Sequence, residues 1–414
     1  MNTITRREWI EITAMLAIAS RLRASGAAAQ GGDATALEET ARRASDVIRG
    51  YAAEGHHRTA TPVDRASADR LMTLARAAGA TPRLEPFALS RVDPVAAFLE
   101  IGGRRIEGLP MFDGAFTGAD GVRGPIGAPG SDKPIALTTV NPNAEAELKK
   151  IRDTSRHRAI LAVTTGQQPG LCPLNAASFT QPFGPPVLQI GSEDAEAIER
   201  AADADEPVRI VAHVARRPAT AFNVVAEVRG TKPDLKPVCV MTPRSGWYRN
   251  ASERGGGLAC WLEALRAVAK AKQARTVRFV ASSGHELGHL GLHAYLKRNP
   301  VLARESLIWV HLGANIGAAT GPTVMTCSDE RAEAAALGAL RTYGLGDLPR
   351  QPAARVGGEA GTIKQEGGRF ISFIGRSAWF HNPRDVWPHT VDVQTVARFA
   401  RAVGDLTLAL ANET

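Results

Sequence analysis

From residue 222 onward, short apolar runs alternate with segments of helical period, and this alternation limits the fold more than any other feature of the chain. Strands are expected over 223–229, 237–241, 276–281, 306–312, Thr323–Cys327 and 370–374. Helices are expected over 257–270, 286–297 and 393–411; in the first, Leu258, Trp261, Leu262, Leu265 and Val268 share one face. Such an order argues for a twisted, mostly parallel sheet sandwiched by helices. Open sheets of this kind place their chemistry beyond the carboxyl ends of the strands. The strand 276–281 runs straight into Gly284-His285-Glu286-Leu287-Gly288-His289, so that stretch marks where to look.

Alone, His285-Glu286-x-x-His289 has the spacing at which two histidines one helical turn apart hold a metal while the glutamate acts as base. Here a strand precedes it directly, so His285 is expected at or before the start of the helix 286–297, not inside it.

The N-terminal half reads differently. Helices are expected over 36–52 and 66–78 and a strand over 83–89. From 93 to 217 the chain turns rich in glycine and proline, with short β runs at Ala159–Thr164 and 186–190 and a helix over 192–202. That texture suggests an inserted, mainly β module, dividing a main domain into 30–92 and 218–414. Residues 1–29 carry Arg6-Arg7, an apolar stretch over 12–19 and Ala27-Ala28-Ala29, the pattern of a twin-arginine export signal. The expected location is therefore periplasmic or secreted, without stable membrane insertion. Removing the signal takes away four arginines and two glutamates and lowers the formal charge from +8 to +6. The excess arginine is scattered, with no basic block interleaved with aromatics, so no nucleic-acid partner is expected. Cys172, Cys239, Cys260 and Cys327 lie far apart in no metal-like spacing, and the sequence specifies no pairing.

Several segments together resemble metallopeptidase family 28, the zinc aminopeptidases and carboxypeptidases whose relatives include glutaminyl cyclase, the transferrin receptor and nicastrin. They are His57-Arg58-Thr59-Ala60-Thr61-Pro62-Val63-Asp64-Arg65, Asn223-Val224-Val225-Ala226-Glu227-Val228-Arg229-Gly230 and Phe380-His381-Asn382-Pro383-Arg384-Asp385. The region 93–217, with Pro185-Pro186-Val187-Leu188-Gln189-Ile190 followed by Ser192-Glu193-Asp194, is similar to that family's protease-associated insert. The resemblance implies a hydrolase fold and five zinc ligands with a glutamate base. The chain departs from that set. The first ligand falls on Pro243, the orienting aspartate on Ser245, the bridging aspartate on Ser252, the base on His285 and a later aspartate on Gly313; Glu286 and His381 alone are retained. Proline and glycine offer no donor, so the two-metal site of the family is not expected here.

Three readings stay open. One is a modified site for a single zinc ion held by Glu286, His381 and His289, with His285 catalytic, hydrolysing an amide, peptide or ester bond of a peptide or small acyl substrate. A second is a catalytically inactive family member that binds a ligand or a protein. A third is a metal-independent hydrolase in which Ser245 or Ser252 acts as nucleophile beside His285 or His381. In each, Arg244, Trp247, Tyr248 and Trp379 are candidates for contact with the substrate. The oligomeric state is not encoded legibly.

Overall fold

The computed structural model describes residues 34–143 and 145–413; the expected export signal lies outside them. Helices α1 (34–53) and α2 (Pro62–Ala77) come first. The Thr61 side chain accepts the Asp64 N–H and so starts α2. The strands in chain order are β1 (Arg83–Ile101), β2 (Arg104–Glu107), β3 (Leu109–Pro110), β4 (Val122–Gly124), β5 (Ile126–Gly127), β6 (Ile135–Val140), β7 (Ala159–Thr164), β8 (Val187–Gly191) and β9 (Val208–Val228). Helix α3 (Glu145–Thr154) lies between β6 and β7, and α4 (Ala195–Asp203) between β8 and β9. Then follow β10 (Val238–Pro243), α5 (Gly255–Lys270), β11 (Val277–Ser282), α6 (Leu290–Arg298), α7 (Leu302–Glu305), β12 (Ile308–Leu312), β13 (Thr323–Cys327), α8 (Glu330–Thr342), α9 (Gly358–Gln365), β14 (Phe370–Gly375) and α10 (Val393–Asn412).

The large sheet runs β13-β14-β12-β10-β11-β9-β1-β2, with β4 added beside β9. Its centre, β14-β12-β10-β11, is parallel, as the alternation requires. Period-two side-chain alternation puts β10 in contact with both covering layers. Val238 and Val240 pack with α1, α2, α5 and α10 around Ile48, Leu71, Trp261 and Phe399. Cys239 and Met241 pack on the other face with Leu292, Tyr295, Trp309 and Ile363 from α6, β12 and α9. Both faces are therefore dry, which explains the unbroken apolar runs of these strands.

One expectation needed revision. The strand expected to stop at 89 continues to Ile101, paired antiparallel with β9 over nearly its whole length. Its proline texture had suggested a break, but the ladder absorbs it: the register shifts between Pro94 and Ala96, leaving Val95 as an extra residue, 61% exposed. The hairpin β1/β9 thus carries the chain from the large sheet into a second sheet, β3-β8-β7-β6-β5. That sheet is parallel from β5 to β8 and has α3 and α4 with it, so the region expected as an insert carries a five-stranded sheet together with helices.

Candidate functional site

The strand β11 does not pass directly into a helix. Gly284 (φ 83°), Gly288 (φ 76°) and His289 (φ 59°) all take left-handed backbone, with one short 3-10 turn, His285–Leu287, between them. The helix α6 begins only at Leu290, so His285-Glu286-x-x-His289 is not one helical turn. A Cβ on residue 288 would sit 2.5 Å from the Ala177 carbonyl oxygen of the second sheet's connecting loop, so only glycine allows that approach. The turn throws His285 and His289 to one side, their rings 5.1 Å apart, and Glu286 to the other.

His285 and His289 face a cavity of about 770 Å³ beyond the ends of β11, β12 and β14. Glu359, one residue into α9, joins them: one donor atom from each of the three lies within 4.8 Å of the others. His285 Nδ1 meets Glu359 Oε1 at 2.8 Å, and His311 Nε2 meets Glu359 Oε2 at 3.2 Å. His311 Nδ1 is anchored on the Ser372 hydroxyl at 2.8 Å, as suits a hydrogen-bonded core histidine. His289 Nδ1 is 3.1 Å from the Thr362 hydroxyl. Both site imidazoles are thus fixed through Nδ1, leaving Nε2 for the cavity. Gly313, in the cavity wall, leaves space for this cluster; a Cβ there would come within 2.9 Å of the His311 ring.

The charges are mutually set. Burial alone raises the Glu359 carboxyl, but His285 and His289 outweigh it and hold it well below the usual carboxylate range. Burial lowers His289 to about 4, against the attraction of Glu359, so its imidazole is neutral and able to ligate at pH 7. Glu145, the first residue of α3, also lines the cavity. Burial raises its carboxyl, with His381 and His285 opposing.

The sequence-predicted residues divide between this cavity and the protein interior. Glu286, expected as a metal ligand, accepts the Thr59 N–H and hydroxyl at 2.7 Å each and the Ser245 hydroxyl at 2.7 Å, and only 1% of its surface is exposed. His381 is likewise interior: Nδ1 is 2.5 Å from the Pro173 carbonyl and Nε2 is 3.4 Å from Glu253. Neither residue lines the cavity. Where the resemblance placed metal ligands, the chain carries its own cation. Arg254 Nη2 lies 2.8 Å from Glu253, with both side chains fully buried, and Arg254 Nε donates to the Ser245 carbonyl. Burial raises the Glu253 carboxyl; Arg254 and then His381 more than reverse this, to about 2.

Ser245 and Ser252, expected as nucleophiles, are buried, and neither hydroxyl is hydrogen-bonded to an imidazole among the described residues. The Ser245 hydroxyl donates to Glu286 and accepts the N–H groups of Gly284 (2.8 Å) and His285 (3.2 Å). The Ser252 hydroxyl meets Asn315 and Ser377 at 3.4 and 3.3 Å. The substrate candidates are also occupied. Arg244 is wholly buried, donating to Asp64 Oδ1 and the Asp64 carbonyl at 2.8 Å. Trp247 is buried against Phe112, Phe179 and Leu287, where it holds the second sheet to the large one. Tyr248 donates its hydroxyl to the Leu171 carbonyl at 2.8 Å. Trp379 stands beside the cavity without lining it; its neighbour Phe380 does line it and stacks on His381. Glu359 and Glu145 escaped the sequence reading altogether. The only signal for Glu359 was a carboxylate opening a helix after Gly357-Gly358, too common to single out.

The described residues form an α/β architecture in which helices cover a large, partly parallel sheet. No protein-family model matches the chain, and no curated protein matches its sequence. Solved structures do match, and the fold resembles that of peptidases of metallopeptidase family 28. A peptidase M28 precursor from Shewanella amazonensis SB2B superposes with a TM-score of 0.73 at 17% identity, covering 91% of this chain and 96% of the other. BSAP, a zinc aminopeptidase from Bacillus subtilis, gives 0.73 at 17% identity, covering 90% and 95%. An aminopeptidase from Aneurinibacillus sp. strain AM-1 gives 0.68 at 18% identity, covering 90% and 94%. At these identities the likeness establishes the fold and leaves the chemistry to the site. Among the described residues no helix is long and apolar enough to cross a membrane.

Proposed function

We propose that the protein is a hydrolase of an amide, peptide or ester bond that uses one metal ion, held by His285, His289 and Glu359. The observation that carries this reading is the convergence of those three donors on the open cavity at the strand ends. Two imidazoles and a carboxylate are a donor set suited to zinc with a position left open. Both imidazoles offer a free Nε2, and each Glu359 oxygen keeps a lone pair beyond its hydrogen bond, so the residues fit the ion. When bound, zinc would supply a Lewis acid beside an acyl carbonyl.

The chain's own residues do the rest. Thr362 and Glu359 fix the two rings, and His311 steadies the second oxygen of Glu359. Glu145 lines the same cavity; burial raises its carboxyl, so it holds a proton to higher pH than an ordinary carboxylate and can pass it to a leaving group. The substrate is a peptide or small acyl compound, and the Arg6-Arg7 segment favours export to the periplasm or medium.

The 2.8 Å contact between His285 and Glu359 favours a second reading, in which that oriented imidazole is itself the base and no metal is needed. A hydrolysis screen on the full chain, with and without chelator, separates the two. Chelator-sensitive turnover lost in His289→Ala supports the metal reading. Chelator-resistant turnover lost in His285→Ala supports the imidazole base. Absence of both metal and turnover would contradict both and leave a ligand-binding relative of the peptidases.

A further inference from the structure

Behind the turn that presents His285 lies a buried charge cluster that the proposed reaction does not use. Glu253, Arg254 and His381 are each at most 1% exposed. Arg254 Nη2 is 2.8 Å from Glu253 Oε1, and His381 Nε2 is 3.4 Å from the same oxygen. Neither Glu253 oxygen, neither Nη of Arg254 nor His381 Nε2 makes a directed hydrogen bond among the described residues, so charge holds the three together. The one directed bond of the guanidinium leaves the cluster: Nε donates at 2.8 Å to the Ser245 carbonyl, which has no other partner among the described residues. The hydroxyl of that same serine receives the N–H groups of Gly284 and His285 at 2.8 and 3.2 Å. On the far side of the cluster, His381 Nδ1 meets the Pro173 carbonyl, and the His381 ring stacks on Phe380, which lines the cavity.

We propose that Arg254 is a positioning residue, a resident cation whose single guanidinium ties the Glu253–His381 pair to Ser245 and so fixes the backbone that presents His285 to the cavity. This rests on His285 belonging to the reacting centre, whether as metal ligand or as base. The turn it serves is not held by a regular ladder: Gly284 (φ 83°) and His289 (φ 59°) both take left-handed backbone, and such a conformation persists only where its surroundings impose it. The Ser245 hydroxyl imposes it, and Arg254 in turn holds the Ser245 peptide. A planar guanidinium suits this task because its Nη and Nε donors leave in fixed, different directions, toward the carboxylate and toward the carbonyl. An ammonium is a compact point charge without that fork. Glu253 keeps the buried cation paired, and therefore in place.

The test is amide hydrogen exchange of the full chain with no metal or substrate added, comparing the segment 281–291 with the edge strand Thr323–Cys327. In Arg254→Ala the first segment is expected to exchange at least about tenfold faster relative to the second. Ethylguanidinium, which restores both the charge and the Nε-type N–H, is expected to bring the ratio back to within about twofold of the unaltered protein, and ethylammonium is not. Should Arg254→Ala fail to fold, Glu253→Gln/Arg254→Met, which strands neither charge, carries the same comparison of segments without the rescue. An equal rise in both segments, no rise in the first, or rescue by both cations or by neither would each overturn the positioning role and leave an ordinary buried ion pair. Exchange needs neither zinc nor turnover, so those results strike this inference alone, whereas an absence of metal and turnover strikes the reading of the cavity.

Discussion

Replacing Ser245 with alanine separates a structural hydroxyl from a nucleophile. In the fold the Ser245 hydroxyl donates to Glu286 Oε2 at 2.7 Å and receives the N–H groups of Gly284 and His285, all in a fully buried position. Losing a hydrogen bond to a carboxylate costs about 1.5–3 kcal/mol, and stranding a buried N–H costs about 1–3 kcal/mol more. Partial relaxation of the turn offsets some of this, so Ser245→Ala should lose about 3–5 kcal/mol, large for one methyl-sized change. Urea unfolding followed by tryptophan fluorescence reads this as a fall in the midpoint at unchanged slope. Turnover should fall only as far as the His285 backbone shifts, and no acyl adduct should form on residue 245. Stability within about 0.5 kcal/mol of wild type, combined with abolished turnover, would refute this reasoning and restore the serine as a nucleophile.

Glu253→Gln leaves Arg254 as an unpaired buried charge and should cost about 3–5 kcal/mol in unfolding experiments at pH 7. Because the Glu253 carboxyl is lowered to about 2 in the folded state, its stabilisation is present above the ordinary carboxylate range and fades as pH falls toward 2; the variant's stability should change less over that window. Gly288→Ala forces a side chain into left-handed backbone and to within 2.5 Å of Ala177, so it should lose about 2–4 kcal/mol and loosen the loop 171–179, read as faster proteolysis there. Asp329 caps α8 through the Ala332 N–H and pairs with Arg369, and Asp329→Ala should cost about 1–2 kcal/mol by thermal melting, an effect that shrinks as acid protonates the carboxyl.

The sequence made the large sheet legible because its central strands are buried on both faces and so read as continuous apolar runs. Val238–Pro243 and Ile308–Leu312 needed no further information. The hairpin β1/β9 was harder, since its outer half carries Pro94, Pro218 and alternating arginines that look like loop. At the site, residue types pointed to the right junction and to His285 and His289. They could not show that two left-handed glycines turn Glu286 inward while the histidines turn outward, because side-chain direction at that junction depends on backbone signs that no spacing reveals. Glu359 lies 74 residues from His285 in the chain, and only the sheet's topology brings them together. The buried pair Glu253–Arg254 was equally hidden, since adjacent opposite charges usually face solvent.

The proposed metal site lies in the cavity and not at the interior pair Glu253–His381. Zinc content of the full chain, combined with anomalous diffraction at the zinc edge, tests it most directly. One ion per chain is expected, on His285, His289 and Glu359, lost in His289→Ala and retained in His381→Ala. Zinc found beside Glu253 and His381, or no zinc at all in protein loaded with a slight excess, would contradict it.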